Sequence, residues 1–429
     1  MSQHELFQRH RAVMPKWLGL LYKEPIELVS GSGSYVIDRD GTQYLDFFGG
    51  ILTTMTGYGV PEVVEAIKDQ ASKMIHTSTL YLIEPMIELA ERLARLSEID
   101  NAKVFFTTSG TEANDAALLF ATAYRRSNQV LAVRNSYHGR SFSALAVTSN
   151  PGYAATSLSP FHVHYILGGS RLRGPLAGIS DEEYIRRGVI DLEDLLHSVL
   201  PGGVAALIAE PIQGVGGFSL APDGYFKAIK AVLDRYEILF ISDEVQTGWG
   251  RTGESFWGYQ AHGMIPDLIT FAKGLGNGLA IAGAIGRGEV VDAIPASAIS
   301  TFGGGPLVAR GALANLDFLL AHDLQQNAKK IGSHIKDRLS AETQEFASVA
   351  DVRGKGLMIG IELCEPNSTI PAPQLASSFL EATKVKQLLV GKGGLDANVI
   401  RIAPPLSLSL DDANKGVDII IECLANLSR

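Results

Sequence analysis

Between residues 60 and 320 the apolar positions follow two alternating rhythms. Short apolar runs at 103–106, 129–133, 204–209, 239–241, 268–271 and 282–286 lack a polar face, which predicts strands buried on both sides of a sheet. Between them, apolar residues recur every three or four positions over 62–74, 84–96, an alanine-rich stretch up to about 125, 225–236 and 307–320, as one-faced helices require. Pro61 opens the first of these helices at a position where no intrahelical N–H bond is lost. Strands alternating with helices predict a mostly parallel sheet covered on both faces, so the fold class is α/β.

The flanks are patterned differently. Two short alternating runs from Ser34 to Asp46 surround Asp40-Gly41, which predicts a hairpin. A long amphipathic helix over 322–339 leads out of the main body. Beyond it, 354–363 and 398–402 predict strands separated by a helix near 374–389, and 409–427 predicts the last helix. The expected organisation is a large domain, 61–321, and a smaller discontinuous α+β domain built from 1–60 and 322–429. Residues 1–34 read as an arm, and 150–190 as an irregular surface excursion.

Composition narrows the class. A chain of 429 residues exceeds what one core serves, and 46% hydrophobic with 19% charged residues excludes a disordered chain. The formal net charge of −9 offers no basic stripe for a nucleic acid. Cys364 and Cys423 lack metal-ligand spacing, so no metal site is expected and both read as buried thiols in a reduced compartment. No apolar leader opens the sequence, and no apolar run reaches the roughly 18 residues of a membrane span. A cytoplasmic protein with no membrane partner is expected.

The ends of the apolar runs carry the chemistry. In an open parallel sheet, ligands gather at the C-terminal ends of the strands. Those ends deliver Ser109-Gly110-Thr111, Tyr137-His138, Glu210, Asp243 with Gln246, and Lys273. Small hydroxyl residues between a strand and a helix suit an anion, although Ser109 alone reads equally well as an N-cap. Gly274-Leu275-Gly276-Asn277-Gly278 lacks the spacing of a dinucleotide fingerprint. An anion site, a flat aromatic, an acid and an amine on one edge suit a phosphate-bearing aromatic aldehyde.

The run from Leu239 through Asp243-Glu244-Val245-Gln246-Thr247-Gly248 to Gly253, followed by Phe271-Ala272-Lys273-Gly274, resembles the signature of the class III aminotransferases. Further stretches resemble family motifs in the family order: Val36 to Phe47, Ser109 to Asn114, Tyr137-His138-Gly139, Glu210 to Gly214, Thr301 to Gly304, and Val399 to Ile402. The resemblance covers nearly the whole chain and implies a pyridoxal 5'-phosphate enzyme of fold type I, whose large domain holds a mostly parallel seven-stranded sheet. It implies that Lys273 binds the cofactor aldehyde and shuttles protons, and that Asp243 pairs with the ring nitrogen. Val245 and Tyr137 would sandwich the ring, with His138 alongside and Gln246 near the phenolic oxygen. Ser109, Gly110 and Thr111 would hold the phosphate, joined by Thr301 of a neighbouring subunit, so a homodimer with shared active sites is implied.

Arg401 matches the arginine that binds a substrate carboxylate, and Glu210 the acid that pairs with it when the carboxylate is elsewhere. Trp17 and Ile51 are candidate substrate-pocket walls, along with Phe48, Tyr58 and Tyr81. The chain departs from the family at Gly57-Tyr58-Gly59-Val60-Pro61, where many relatives have Gly-His-x-His-Pro, and at Gly305-Pro306, where asparagine often precedes the proline. The implied activity is transfer of an amino group from an amino acid to a small 2-oxo acid by a ping-pong mechanism. Glu210 to Gly217 and Val399 to Pro405 are most similar to the alanine–glyoxylate type 2 and ω-amino-acid:pyruvate branch. The alternatives are a 4-aminobutyrate or other ω-amino-acid transaminase using 2-oxoglutarate, or a racemase, aminomutase or phospholyase on the same fold.

Overall fold

A computed structural model describes residues 3–199 and 203–427. Its centre is a seven-stranded sheet of β1 (Ala102–Thr107), β2 (Gln129–Val133), β3 (His162–Ile166), β4 (Ala206–Ala209), β5 (Leu239–Asp243), β6 (Leu268–Phe271) and β7 (Ala282–Arg287). Their order is β1-β7-β6-β5-β4-β2-β3. The contacts of β6, β5, β4, β2 and β3 are parallel, while β7 runs antiparallel to both β6 and β1. The reversal has a local cause, because the link from Phe271 to Ala282 is too short for the helical crossover that a parallel return needs. Every residue of β4, β5 and β6 is buried, which is why those runs carry no polar alternation.

The helices Pro61–Lys73, Glu84–Leu96, Gly110–Arg125, Tyr225–Arg235 and Pro306–Ala321 fall where the periodicity predicts. Two expectations need correction. The 150–190 stretch contains β3 and most of the helix Asp181–Asp194, capped by Ser180. The apolar stretch 354–363 is a turn and a strand of a hairpin, Val349–Lys355 with Met358–Leu363, reversed at Gly356, where φ is +52°.

The N-terminal strands Leu28–Ser32, Tyr35–Asp38 and Gln43–Asp46 form a sheet that Leu388–Leu389 joins in parallel. A second four-stranded sheet sets Val399–Ile402 between Met358–Leu363 and Gly391–Gly393. Arg401 is therefore held by a central strand. Cys364 and Cys423 are buried free thiols, and among the described residues no helix is long and apolar enough to cross a membrane.

Candidate active site

The parallel strands bring their C-terminal ends to one edge, where a cavity of about 330 Å³ opens. It is lined by Ser109, Gly110, Thr111, Asn114, Tyr137, His138, Glu210, Asp243, Val245, Gln246 and Lys273, together with Thr53 and the 278–281 loop.

Asp243, the last residue of β5, is 3% exposed and fully engaged. Its Oδ2 accepts from Asn114 Nδ2 at 2.8 Å and lies 2.7 Å from His138 Nδ1, and its Oδ1 accepts from the Val245 N–H at 3.1 Å. Asn114 was not singled out from the sequence, yet it organises this corner. Its Nδ2 also donates to the His138 carbonyl at 2.7 Å, while its Oδ1 accepts from Thr270 Oγ1 at 2.6 Å. A carboxylate with this many donors is stable as a buried anion. The far side of the His138 ring, Nε2, is buried with no partner.

Lys273 follows β6 with a left-handed backbone, φ +46°. No hydrogen bond or ion pair to another described residue holds its amine, so the acid and the amine share the cavity without pairing. Burial lowers the Lys273 amine to about 8, and the nearby Arg401 cation acts in the same direction against the opposing pull of Asp243 and Glu210.

Across the cavity, the helix Gly110–Arg125 presents its N-terminus. Ser109 is the N-cap, its Oγ accepting from the Glu112 N–H at 3.3 Å, and the N–H groups of Gly110 and Thr111 have no intrahelical acceptor. Glycine at 110 keeps this approach close, since a Cβ there would stand a tight 3.1 Å and 3.2 Å from the Val245 methyls. The positive helix end, the adjacent hydroxyls, the buried carboxylate, the weakly basic amine and the orphaned His138 nitrogen suit the phosphate, ring and aldehyde of pyridoxal 5'-phosphate.

The substrate candidates are arranged differently from expectation. Glu210 turns its carboxylate to the N–H groups of Tyr137 and Gly214, at 3.0 and 2.8 Å, and forms no ion pair with Arg401. Burial raises its carboxyl to about 7; Asp243 adds to the rise, and His138 with the two N–H donors opposes it. Arg401 Nη2 donates instead to Gln246 Oε1 at 2.7 Å. The guanidinium lies 4.7 Å from the Phe218 ring centre and 5.5 Å from that of Phe48, and its Nε is buried without a partner. Burial lowers it to about 10, against the pull of Tyr153 and Glu210. Tyr153, whose ring stands 5.1 Å from that of Tyr137, was hidden in the stretch read as an excursion.

Four expected residues are not among those lining this cavity: Arg401, which adjoins it through Gln246, and Trp17, Ile51 and Thr301. Trp17 is 78% exposed, and Ile51 and Thr301 are also exposed. Tyr58 does not line this cavity either, and its hydroxyl donates to Asp46 Oδ2 at 2.6 Å.

Comparison with known proteins agrees with this geometry. The sequence pattern of the family described as aminotransferase class-III matches residues 22–424. Alanine–glyoxylate aminotransferase 2 homolog 2 of Arabidopsis thaliana is 36% identical over 94% of this chain and 83% of its own length. The leucine/methionine racemase of Thermococcus litoralis is 35% identical over 100% of this chain and 96% of its own. Among solved structures, an (S)-enantioselective omega-transaminase from Thermomicrobium roseum superposes with a TM-score of 0.92 at 32% identity, covering 100% of this chain and 99% of that one. The chain belongs to the class-III aminotransferases, pyridoxal-phosphate-dependent enzymes of fold type I.

Proposed function

We propose that this aminotransferase moves the amino group of alanine, β-alanine or another ω-amino acid to glyoxylate or pyruvate by a ping-pong mechanism in the cytoplasm. One observation supports the reading above the others. The unpaired Lys273 and the buried Asp243 share a cavity beside Arg401, a cation whose side chain donates to the neutral Gln246 and not to a carboxylate. Such an arginine is available to the carboxylate of a small oxo acid.

Bound in this cavity, pyridoxal 5'-phosphate supplies an aldehyde that condenses with amines and a ring that accepts electrons from the substrate carbon. Ser109, Gly110 and Thr111 would hold the phosphate, Val245 and Tyr137 the two ring faces, Gln246 the phenolic side, and Asp243, steadied by His138 and Asn114, the ring nitrogen. Lys273 would take a proton at Nζ from the substrate carbon and return it, which an amine near pH 8 can do because part of it is neutral at physiological pH. Arg401 would bind the substrate carboxylate, and Gln246 would receive the guanidinium between turnovers. Glu210 would take over when a substrate places its carboxylate elsewhere.

A homodimer belongs to the same reading, with Thr301 reaching the phosphate of the partner subunit. Thr301 is exposed and outside its own cavity, and its chain neighbours Ile299 and Phe302 leave apolar surface uncovered beside it, as do Leu80, Tyr81 and Leu82 elsewhere on the chain.

The test is a set of half-reactions with alanine, β-alanine and 4-aminobutyrate, followed by absorbance, then by glyoxylate, pyruvate and 2-oxoglutarate as acceptors. Conversion by alanine or β-alanine with return by glyoxylate or pyruvate is expected. Preference for 4-aminobutyrate with 2-oxoglutarate would give the rival transaminase instead. The racemase relative motivates a second reading, in which one enantiomer of an amino acid loses optical purity with no oxo acid present.

A further inference from the structure

The loop after the N-terminal hairpin makes a turn of the wrong hand. Gly49, Gly50, Ile51 and Leu52 adopt consecutive positive φ angles of 54°, 59°, 67° and 61°. The Leu52 and Thr53 N–H groups donate to the carbonyls of Phe48 and Gly49 at 3.0 and 2.7 Å, closing one left-handed helical turn. L-residues avoid such runs, and Ile51 adds a β-branch to the steric penalty. A turn of this kind persists only where its surroundings hold it.

Asp46 is the holding group. It is 3% exposed, and its Oδ1 accepts from the N–H groups of Phe48 and Gly49 at 2.8 and 3.1 Å. Its Oδ2 accepts from the Tyr58 hydroxyl at 2.6 Å. Tyr58 is itself fixed, exchanging backbone hydrogen bonds with Gly33 at 2.9 and 2.8 Å, while Gly31 leaves room for its ring. This is the position at which the resemblance places a histidine in many relatives and the chain carries tyrosine.

The turn also reaches the site. Phe48, at its start, lies against Gly391, where a Cβ would come within 2.1 Å of the ring, and packs on the Arg401 guanidinium. Leu52 packs with Phe218 and Ala403, and Thr53 lines the cavity.

We propose that Tyr58 is a positioning residue: through Asp46 it fixes the left-handed turn that sets Phe48 against Arg401, and so sets the affinity for the substrate carboxylate. The inference rests on the role proposed for Arg401. Its probe is propionate, a carboxylate with no amine, titrated into the holoenzyme by calorimetry. Tyr58→Phe weakens propionate binding by about tenfold, the scale of one charge-assisted hydrogen bond, and leaves the cofactor spectrum unchanged. Asp46→Asn has the same effect, and the double variant is no worse than either single one. Adding Ile51→Gly to Tyr58→Phe restores most of the affinity, because glycine enters the left-handed region without penalty. A lower Tm for Tyr58→Phe with unchanged propionate affinity overturns the proposal, as does an unchanged affinity for Asp46→Asn if Tyr58→Phe does not fold. Arg401→Ala separates the two readings: if it binds propionate like the parent, the carboxylate role of Arg401 fails whatever Tyr58 does.

Discussion

Replacing Lys273 by methionine should stabilise the cofactor-free protein at neutral pH. The buried amine is brought from its ordinary 10.5 to about 8, and at about 1.4 kcal/mol per pH unit a charged Lys273 costs the apo fold about 3 kcal/mol. Below pH 8 the ammonium is charged in both folded and unfolded chains, so the full penalty applies. Between pH 8 and 10.5 the folded chain has already released the proton, unfolding takes one up, and stability climbs with pH. Methionine of similar length carries no such penalty. Urea unfolding of both apoproteins, followed by tryptophan fluorescence from pH 6 to about 11, should show Lys273→Met ahead by about 3 kcal/mol at pH 7, with the gap closing above pH 8. A gap that does not vary with pH, or a parent that is the more stable at pH 7, would refute the argument that the amine is held in a desolvated, unpaired state.

Three further outcomes follow from the same corner. Asn114→Ala removes bonds to Asp243, the His138 carbonyl and Thr270, so a loss of about 2–4 kcal/mol and weaker cofactor retention are expected; fluorescence titration showing parental cofactor affinity would contradict this. Glu210, raised from 4.5 to about 7, keeps its proton longer in the folded chain, so it contributes stability at low pH that is lost as pH rises through 7. Glu210→Gln should flatten that part of the Tm-against-pH curve. Arg401→Gln should raise KM for pyruvate by about ten- to a hundredfold and move the Lys273 amine upward from about 8, read by spectrophotometric titration; no upward movement would mean that the two cations do not interact.

How much of this was legible depended on burial. The strands β4, β5 and β6 announced themselves because both faces are covered, and their charged end residues followed from the parallel order. Edge strand β3 did not, because His162-Val163-His164-Tyr165 is exposed or only half buried and carries no continuous apolar run. The lysine, the acid and the anion-binding turn were readable as residue types at strand ends. Asn114 left a fainter mark, a single amide among the buried alanines 113, 116 and 117, where a polar group must have partners. Sequence did not indicate which donors Glu210 would choose, since that depends on two backbone N–H groups brought together by separate loops. The same limit applies to Trp17 and Ile51, exposed in the single chain, whose apolar character is compatible with any covered or uncovered surface.

The two cations are more informative together than apart. Arg401 lowers the basicity of Lys273 while Asp243 and Glu210 raise it, so the amine responds to the net charge of the cavity. On the proposed reading, a substrate carboxylate arriving at Arg401 cancels that cation for Lys273. The amine then holds its proton more tightly in the complex than in the free site, which makes the free base stronger but leaves less of it neutral at physiological pH. Glu210 works in the same direction only when ionised, and its carboxyl near 7 leaves it part neutral at physiological pH. On that reading, an oxo acid or amino acid that engages Arg401 shifts the protonation of Lys273 by its charge as well as taking its position from the arginine, whereas an amine without a carboxylate does neither. This gives the buried arginine a role in rate as well as affinity.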